Sequence, residues 1–458
     1  MSEGSPKGPA GDPTALATVA RRARRGWYVY DWAASAFSTT VVTVFLGPYL
    51  TSVAEDAADA QGRVGLFFLD VRPGSYFAYV VSFSVAVQVL VLPVVGALAD
   101  RFQRKLLLLG VFAYIGAAAT MALYFVQGEA HQWGAVLLIV ANVSFGAAIV
   151  VYNAFLPEIS TPDERDGVSS RGWALGYLGG ALLLAMNLVL FTFADSFGLT
   201  DGEAARISIA SAGLWWGVFT IVPLRRLRER PYPPETLPPV NGNTVAAGFK
   251  QLGHTFGQMR LMPQTMLFLV AYLFYNDGVQ TVIALASVYG DKELNMSEQT
   301  LIVAILLVQV VAFVGALLLG RLAGSFGAKR VILGSLVVWM VVVAAAYALP
   351  QGRVVAFLGL AVVIGLVLGG TQALSRSLFS QLIPRESEAE YFSFYEISER
   401  GTSWMGTLAF GLVYEVTGSY RDAIGVLVVF FVVGLGLLAL VKVRPAIAAA
   451  GNPQPAVV

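Results

Sequence analysis

Residues 75–126 read SYFAYVVSFSVAVQVLVLPVVGALADRFQRKLLLLGVFAYIGAAATMALYFV. An apolar run over 75–99 meets a short charged break at 100–105, and a second apolar run follows to 126. A helix rises 1.5 Å per residue, so roughly 20 apolar residues cross a hydrocarbon core about 30 Å thick. Both runs are long enough, and a spanning backbone must satisfy its own hydrogen bonds, which makes them helices. The stretch is therefore two membrane crossings joined by a tight basic turn.

The same pattern recurs along the chain. Twelve spans are read, at 28–50, 75–99, 105–126, 133–156, 172–193, 207–223, 264–289, 299–320, 329–349, 353–380, 391–416 and 423–441. Of 458 residues, 57% are hydrophobic and 13% charged, with a mean hydropathy of +0.69. Soluble domains carry about 25% charge. The fold class is an all-α membrane protein of twelve transmembrane helices in two pseudo-symmetric six-helix bundles. Its expected divisions are a disordered tail 1–26, a bundle 27–223, a linker 224–263, a second bundle 264–442 and a disordered tail 443–458. The linker holds Arg225, Arg226, Arg228 and Arg230, then five prolines from Pro231 to Pro239, and a surface helix is expected around 249–262.

Several function classes fall away on composition. A net charge of +1 argues against a nucleic-acid partner, and the absence of cysteine removes disulfides and thiolate metal sites. The two histidines, His131 and His254, fall in expected loops, so neither a metal centre nor another cofactor is assigned. No nucleophile elbow, His-Glu-x-x-His or phosphate-binding loop is present, so the chain reads as a non-enzyme without direct ATP drive. The basic lead at Arg21–Arg25 runs into an apolar stretch too long for a signal peptide, and is read as the flank of a retained first span. About 22 of the 30 Lys and Arg residues fall on the side of the termini and about 6 on the other. Both termini are expected to be cytoplasmic.

The halves look like repeats. The stretch Gly96-Ala-Leu-Ala-Asp-Arg-Phe102 after the second span matches Gly320-Arg-Leu-Ala-Gly-Ser-Phe326 after the eighth. Ser169-Ser-Arg-Gly172 in the fifth matches Ser398-Glu-Arg-Gly401 in the eleventh. Parallel repeats with a site at their interface are a transporter architecture.

Polar stripes interrupt the apolar spans. Asp31, Ser35, Ser38 and Thr39 share one face of the first, and Asn142, Gly146 and Asn153 one face of the fourth. Gln372, Ser375 and Arg376 do so in the tenth, and Glu396, Glu399, Arg400 and Ser403 in the eleventh. Spans three, nine and twelve are almost wholly apolar and are expected to face lipid. Buried charge is costly in hydrocarbon, so these groups face partners or a wet cavity. Asp277 lies about 20 Å into its span, far in sequence from any base, which suits a proton carrier. The substrate and coupling candidates are Asp31, Asn153, Asp277, Gln280, Gln372 and Arg376. Glu396 and Arg400 form an i, i+4 pair with the acid first. With Glu399 and Arg376 they make either a fixed strut or a gate, and either arginine could instead bind an anion. Glu415 is read as solvated near the outer surface, and Gly369-Gly370 as a hinge.

The segment Gly96-Ala-Leu-Ala-Asp-Arg-Phe-Gln-Arg-Lys105 resembles the loop signature of the major facilitator superfamily. The resemblance implies that Gly96, Asp100, Arg101 and Arg104 belong to a cytoplasmic latch and act as switch residues. The copy at 320–330 lacks the acid, having Gly324. Five further motifs are similar to the vacuole-effluxer branch, related to the fungal autophagy-associated vacuolar amino-acid exporter. They are Tyr30-Asp-Trp-Ala-Ala-Ser-Ala-Phe37, Tyr152-Asn-Ala-Phe-Leu-Pro-Glu158, Gly172-Trp-Ala-Leu-Gly-Tyr-Leu-Gly-Gly180, Tyr275-Asn-Asp-Gly-Val-Gln280 and Gly370-Thr-Gln-Ala-Leu-Ser-Arg376. Where that pattern has Asn, this chain has Ala34.

The expectation is a secondary transporter of a small solute, working by alternating access in the lipid bilayer. Amino-acid export, proton coupling, a monomeric state and a bacterial inner membrane are the finer expectations. A lipid or lysolipid flippase and a non-transporting sensor are the alternatives.

Overall fold

The computed structural model describes residues 13–229, 257, 259–400 and 404–458. The linker prolines, most of the expected surface helix, Gly401 and Ser403 lie outside them. Among the described residues, eleven helices are long and apolar enough to cross a membrane. In chain order they are Thr18–Asp56, Pro73–Phe102, Lys105–Phe125, His131–Ile159, Pro162–Thr192 and Asp201–Arg226 in the first half. Pro263–Lys292, Glu298–Phe326, Ala328–Ala348, Val354–Gln381 and Tyr420–Leu440 follow in the second. The remaining crossing, span 11, is made of Glu388–Arg400 and Trp404–Thr417, which flank 401–403.

Span 6, read as 207–223, runs from Asp201 to Arg226 because its first turns are polar and capped. Thr200 and Glu203 form a capping box, with Glu203 N donating to Thr200 Oγ1 at 3.3 Å. Span 1 contains a π-helix, Phe37–Phe45, which periodicity did not reveal. Spans 1 and 2 are joined through a small hairpin, β1 (Val64–Leu66) with β2 (Leu69–Val71), pinned to span 4 by Gln132 Nε2 donating to Gly65 O at 2.6 Å. The C-terminal tail, expected to be disordered, holds a helix at Val443–Ala449 and docks on the bundle. Asn452 Nδ2 donates to the carbonyls of Gln381 and Ile383 at 2.9 and 2.7 Å. Span 10 runs as one helix through Gly369 and Gly370, and both glycines pack against span 8.

The sequence repeats occupy equivalent places at the junction of the halves. Gly96 in span 2 meets Ala389 and Glu390 at the start of span 11, and Gly320 in span 8 meets Ser170 in span 5. Two diagonal helix pairs therefore join the halves near the face that carries the termini, here the terminal side.

Candidate functional site

Between the halves lies a cavity of about 260 Å³, lined by both. From the first half come Asp31, Ser35, Ser38, Thr39, Asn153 and Trp173; from the second come Gln280, Gln309, Gln372, Arg376, Glu396, Glu399 and Arg400. The π-helix places Ser38, Thr39 and Thr43 on this wall, and Thr43 Oγ1 donates five residues back to Ser38 O at 2.8 Å.

The floor is an ion pair between the halves. Arg376 Nη2 lies 3.1 Å from Asp31 Oδ2 and Nη1 lies 3.4 Å from Asp31 Oδ1, a two-pronged contact. Nη1 also donates to Asn153 Oδ1 at 3.3 Å, Nη2 to Ser169 O at 3.0 Å, and Nε to Ser169 Oγ at 3.0 Å. All five guanidinium N–H groups are thereby engaged. In this state Arg376 offers the cavity no free donor for an anion.

One wall is a polar chain on spans 7, 10 and 11. Glu396 accepts from Asn153 Nδ2 at 2.8 Å across the halves and from Arg400 Nε at 3.1 Å along its own helix. Glu399 accepts from the Tyr272 hydroxyl at 3.0 Å, and Gln372 Nε2 donates to Asn276 Oδ1 at 3.0 Å. The Arg400 guanidinium lies 4.6 Å over the ring of Phe145 from the opposite half.

Beneath the floor the terminal side is sealed. Asp100 accepts from the backbone amides of Ala389 and Glu390 at 3.2 and 2.8 Å. It thus caps the N-terminus of a helix in the other half, where unpaired amides and the helix dipole favour an anion. Lys105 Nζ stands 3.5 Å from Asp100, 2.8 Å from Glu158 and 3.1 Å from Glu388. At the diagonal corner Arg165 Nη1 donates to Ser380 O at 3.0 Å, and the Ser377 hydroxyl donates to Asp166. Ser169 Oγ donates to Ala373 O at 2.6 Å. Toward the opposite face Gln309 Nε2 donates to Thr39 Oγ1 at 3.1 Å. Cross-half bonding concentrates on the terminal side, so the molecule is closed there.

Most of the residues read from the sequence come together. Asp31, Asn153, Gln280, Gln372, Arg376, Glu396, Glu399 and Arg400 all line the cavity. Asp277 does not. It is fully buried on the face of span 7 turned toward span 11, where its Oδ2 accepts from Gly406 N at 2.6 Å. Among the described residues its Oδ1 has no hydrogen-bond partner. Gly96 and Asp100 take part in the seal, whereas Arg104 is exposed and Arg101 is half-buried outside the cross-half bonds described. The cation of the seal is Lys105, the last residue of the quoted motif. Sequence reasoning also missed Glu158, Glu388, Ser169 and Gln309. Glu158 and Glu388 lie in the breaks between the spans read from the sequence, after 156 and before 391.

The chain's likenesses agree with this geometry. Residues 19–451 match the family model described as "Vacuole effluxer Atg22 like". An uncharacterized MFS-type transporter, YxiO, of Bacillus subtilis (strain 168) is 32% identical over 420 residues, covering 91% of this chain and 94% of its own length. Autophagy-related protein 22 of Yarrowia lipolytica (strain CLIB 122 / E 150) is 30% identical, covering 83% of this chain and 78% of its own. Among solved structures, the major facilitator transporter FucP in the outward conformation superposes with a TM-score of 0.67 at 12% identity, covering 92% of this chain and 98% of that one. The proton:xylose symporter XylE gives 0.65 at 14% identity, covering 94% and 97%. Those two likenesses speak for the fold alone. With nearly its whole length matched, the chain belongs to the Atg22-like vacuole-effluxer family, a branch of the major facilitator superfamily of transporters.

Proposed function

We propose that this transporter exports amino-acid-sized zwitterions and couples their movement to protons, acting as a monomer with both termini in the cytoplasm of a bacterial cell. The observation that carries the reading is the small, charge-lined cavity standing directly on a cross-half ion pair. A pocket of about 260 Å³ suits a solute of amino-acid size, and two carboxylates and an arginine together on the span 11 wall suit a solute carrying both charges. The same lining disfavours a lipid tail, which needs an apolar side opening. Arg400, whose guanidinium lines the cavity, is the group we assign to the solute carboxylate.

Asp277 is the assigned proton site. It is fully buried, with one oxygen bonded to Gly406 N and the other without a partner among the described residues, so taking up a proton or moving relieves the cost of its charge. Lying outside the cavity, it acts through span 11 rather than on the solute. The bias of Lys and Arg toward the terminal side supports the orientation.

The test is counterflow in proteoliposomes preloaded with a mixture of the twenty amino acids. Exchange of at least one labelled amino acid is expected, and Asp277→Asn should remove its dependence on a pH gradient while leaving exchange at equal pH intact. Absence of exchange for every amino acid overturns the substrate reading. A pH response unchanged in Asp277→Asn overturns the coupling.

A further inference from the structure

We propose that the pocket now occupied by the Arg376 side chain is the receptor for a cationic group on the transported solute, with Arg376 as its built-in competitor. Resting on the alternating-access reading above, this assigns the solute's ammonium or guanidinium group to a named receptor.

Arg376 belongs to the second half, yet the partners described for its guanidinium belong to the first. Asp31, Asn153 and Ser169 take its five N–H groups. The rings of Trp27, Trp173 and Tyr152 surround it at 4.6, 5.3 and 5.6 Å from the guanidinium carbon. A carboxylate flanked by three aromatic faces is the composition of a cation receptor. The cage also holds its own shape. Trp27 and Tyr152 stack at 4.5 Å, and the Trp27 indole donates to Tyr152 O at 2.9 Å, contacts that do not involve Arg376. At Gly172 a Cβ would stand 2.5 Å from Asp31 Oδ2 and 3.0 Å from Arg376 Nη2, so the missing side chain there leaves the room a cation fills.

Opening the terminal side moves span 10 away from spans 1, 4 and 5 and withdraws Arg376. What stays behind is a carboxylate in an aromatic wall, costly to leave empty. A solute cation arriving from the terminal side takes the vacated place. When the halves close, Arg376 returns and drives the cation up into the cavity, so sealing and release become one step. Because one carboxylate serves both cations in turn, solute and seal exclude each other.

The experiment needs no transport assay and therefore fails independently of the transport reading. Purified Arg376→Ala protein is titrated with methylguanidinium chloride against equal sodium chloride, reading melting temperature and tryptophan fluorescence. A saturable rise of about 2 °C at tenfold excess over Kd is expected, with fluorescence change from the caged indoles. Wild type and Arg376→Lys should stay flat, and Asp31→Asn added to Arg376→Ala should abolish the response. Lys105→Ala, which keeps Arg376 but loosens the seal, is the second test and should show a smaller rise that Asp31→Asn removes. No response in folded Arg376→Ala, or an equal response without Asp31, overturns the proposal. So does a flat Lys105→Ala should Arg376→Ala fail to fold.

Discussion

At Gly96 the seal packs a helix against backbone atoms of the other half, and adding one methyl group there should open the terminal side. A Cβ at this position would lie 2.5 Å from Ala389 O and 2.9 Å from both Ala389 C and Glu390 Cα. These are backbone atoms, so no rotamer change relieves the clash. Ordinary contact begins near 3.4 Å, and spans 2 and 11 must therefore part by about 1 Å. Asp100 sits one turn further along the same helix, and its bonds to Ala389 N and Glu390 N, at 3.2 and 2.8 Å, would stretch to about 4 Å. Two charge-assisted bonds are lost from the sealed state, each worth roughly 1.5–3 kcal/mol, and water at Asp100 in the open state returns part of that. A net shift of about 2 kcal/mol corresponds to a ~30-fold change in the ratio of open to sealed protein.

The chain has no cysteine, so a single reporter can be placed cleanly. Ser170 is suitable, being 1% exposed, without a hydrogen bond from its hydroxyl among the described residues, and packed against Gly320 at the diagonal corner. In a Ser170→Cys background, Gly96→Ala should raise the rate of maleimide labelling roughly 30-fold without lowering monodisperse yield. Folded Gly96→Ala protein that labels at the parental rate would refute the reasoning, because the two corners would then not open together.

Other expectations follow from the same contacts. Lys105→Met leaves Asp100, Glu158 and Glu388 facing one another without their cation, so it should lower thermal stability by about 3–5 kcal/mol, checked by scanning fluorimetry, with Lys105→Arg milder. Exchanging Glu396 and Arg400 preserves their pairing, and the double variant should keep more counterflow activity than either single neutralisation; equal loss in all three would show that pairing is not their role. Asp277→Asn keeps an acceptor for Gly406 N whereas Asp277→Leu does not, so the leucine variant should melt lower by about 1–3 kcal/mol while the asparagine variant holds. A C-terminal green fluorescent protein fusion should be bright and a phosphatase fusion inactive if the termini are cytoplasmic.

The helical crossings were legible because roughly twenty apolar residues in a row admit few other structures. The site was legible through cost, since ionisable groups such as Asp31, Arg376 and Glu396 are rare at bilayer depth unless a partner or a cavity receives them. Depth alone could not say which way a side chain turns, and Asp277 stands buried outside the cavity lining. Span 7 carries Asp277 and Gln280 three residues apart, yet the first turns to span 11 and the second to the cavity. The π-helix escaped because its signature is a shift in bonding register, and the β-branched run Thr39-Thr40-Val41-Val42-Thr43 fits an ordinary helix equally well. Lys105 was overlooked as one cation among several in a basic turn. Only the fold shows that it alone of that group is 4% exposed among three carboxylates. The C-terminal tail was read as disordered because it is a chain end, whereas the Asn452 amide supplies an anchor.

A transporter of this kind must hold two packings at nearly equal free energy, and the chemistry at the junction explains how. Apolar burial between the halves would be strong but would resist separation, because exposing it to water costs in proportion to area. Polar contacts behave differently, since a bond broken between halves is exchanged for bonds to water and nets only about 1 kcal/mol. The seal is built largely from such exchangeable contacts: Asp100 with backbone amides, Arg165 with Ser380 O, Ser169 with Ala373 O, Ser377 with Asp166. Each finds water when the terminal side opens. The Asp31–Arg376 pair differs from these, because its aromatic surround keeps water poor on one side. It is therefore the contact whose loss most needs a replacement, which makes the floor of the cavity the place where a bound solute can tip the balance between the two states.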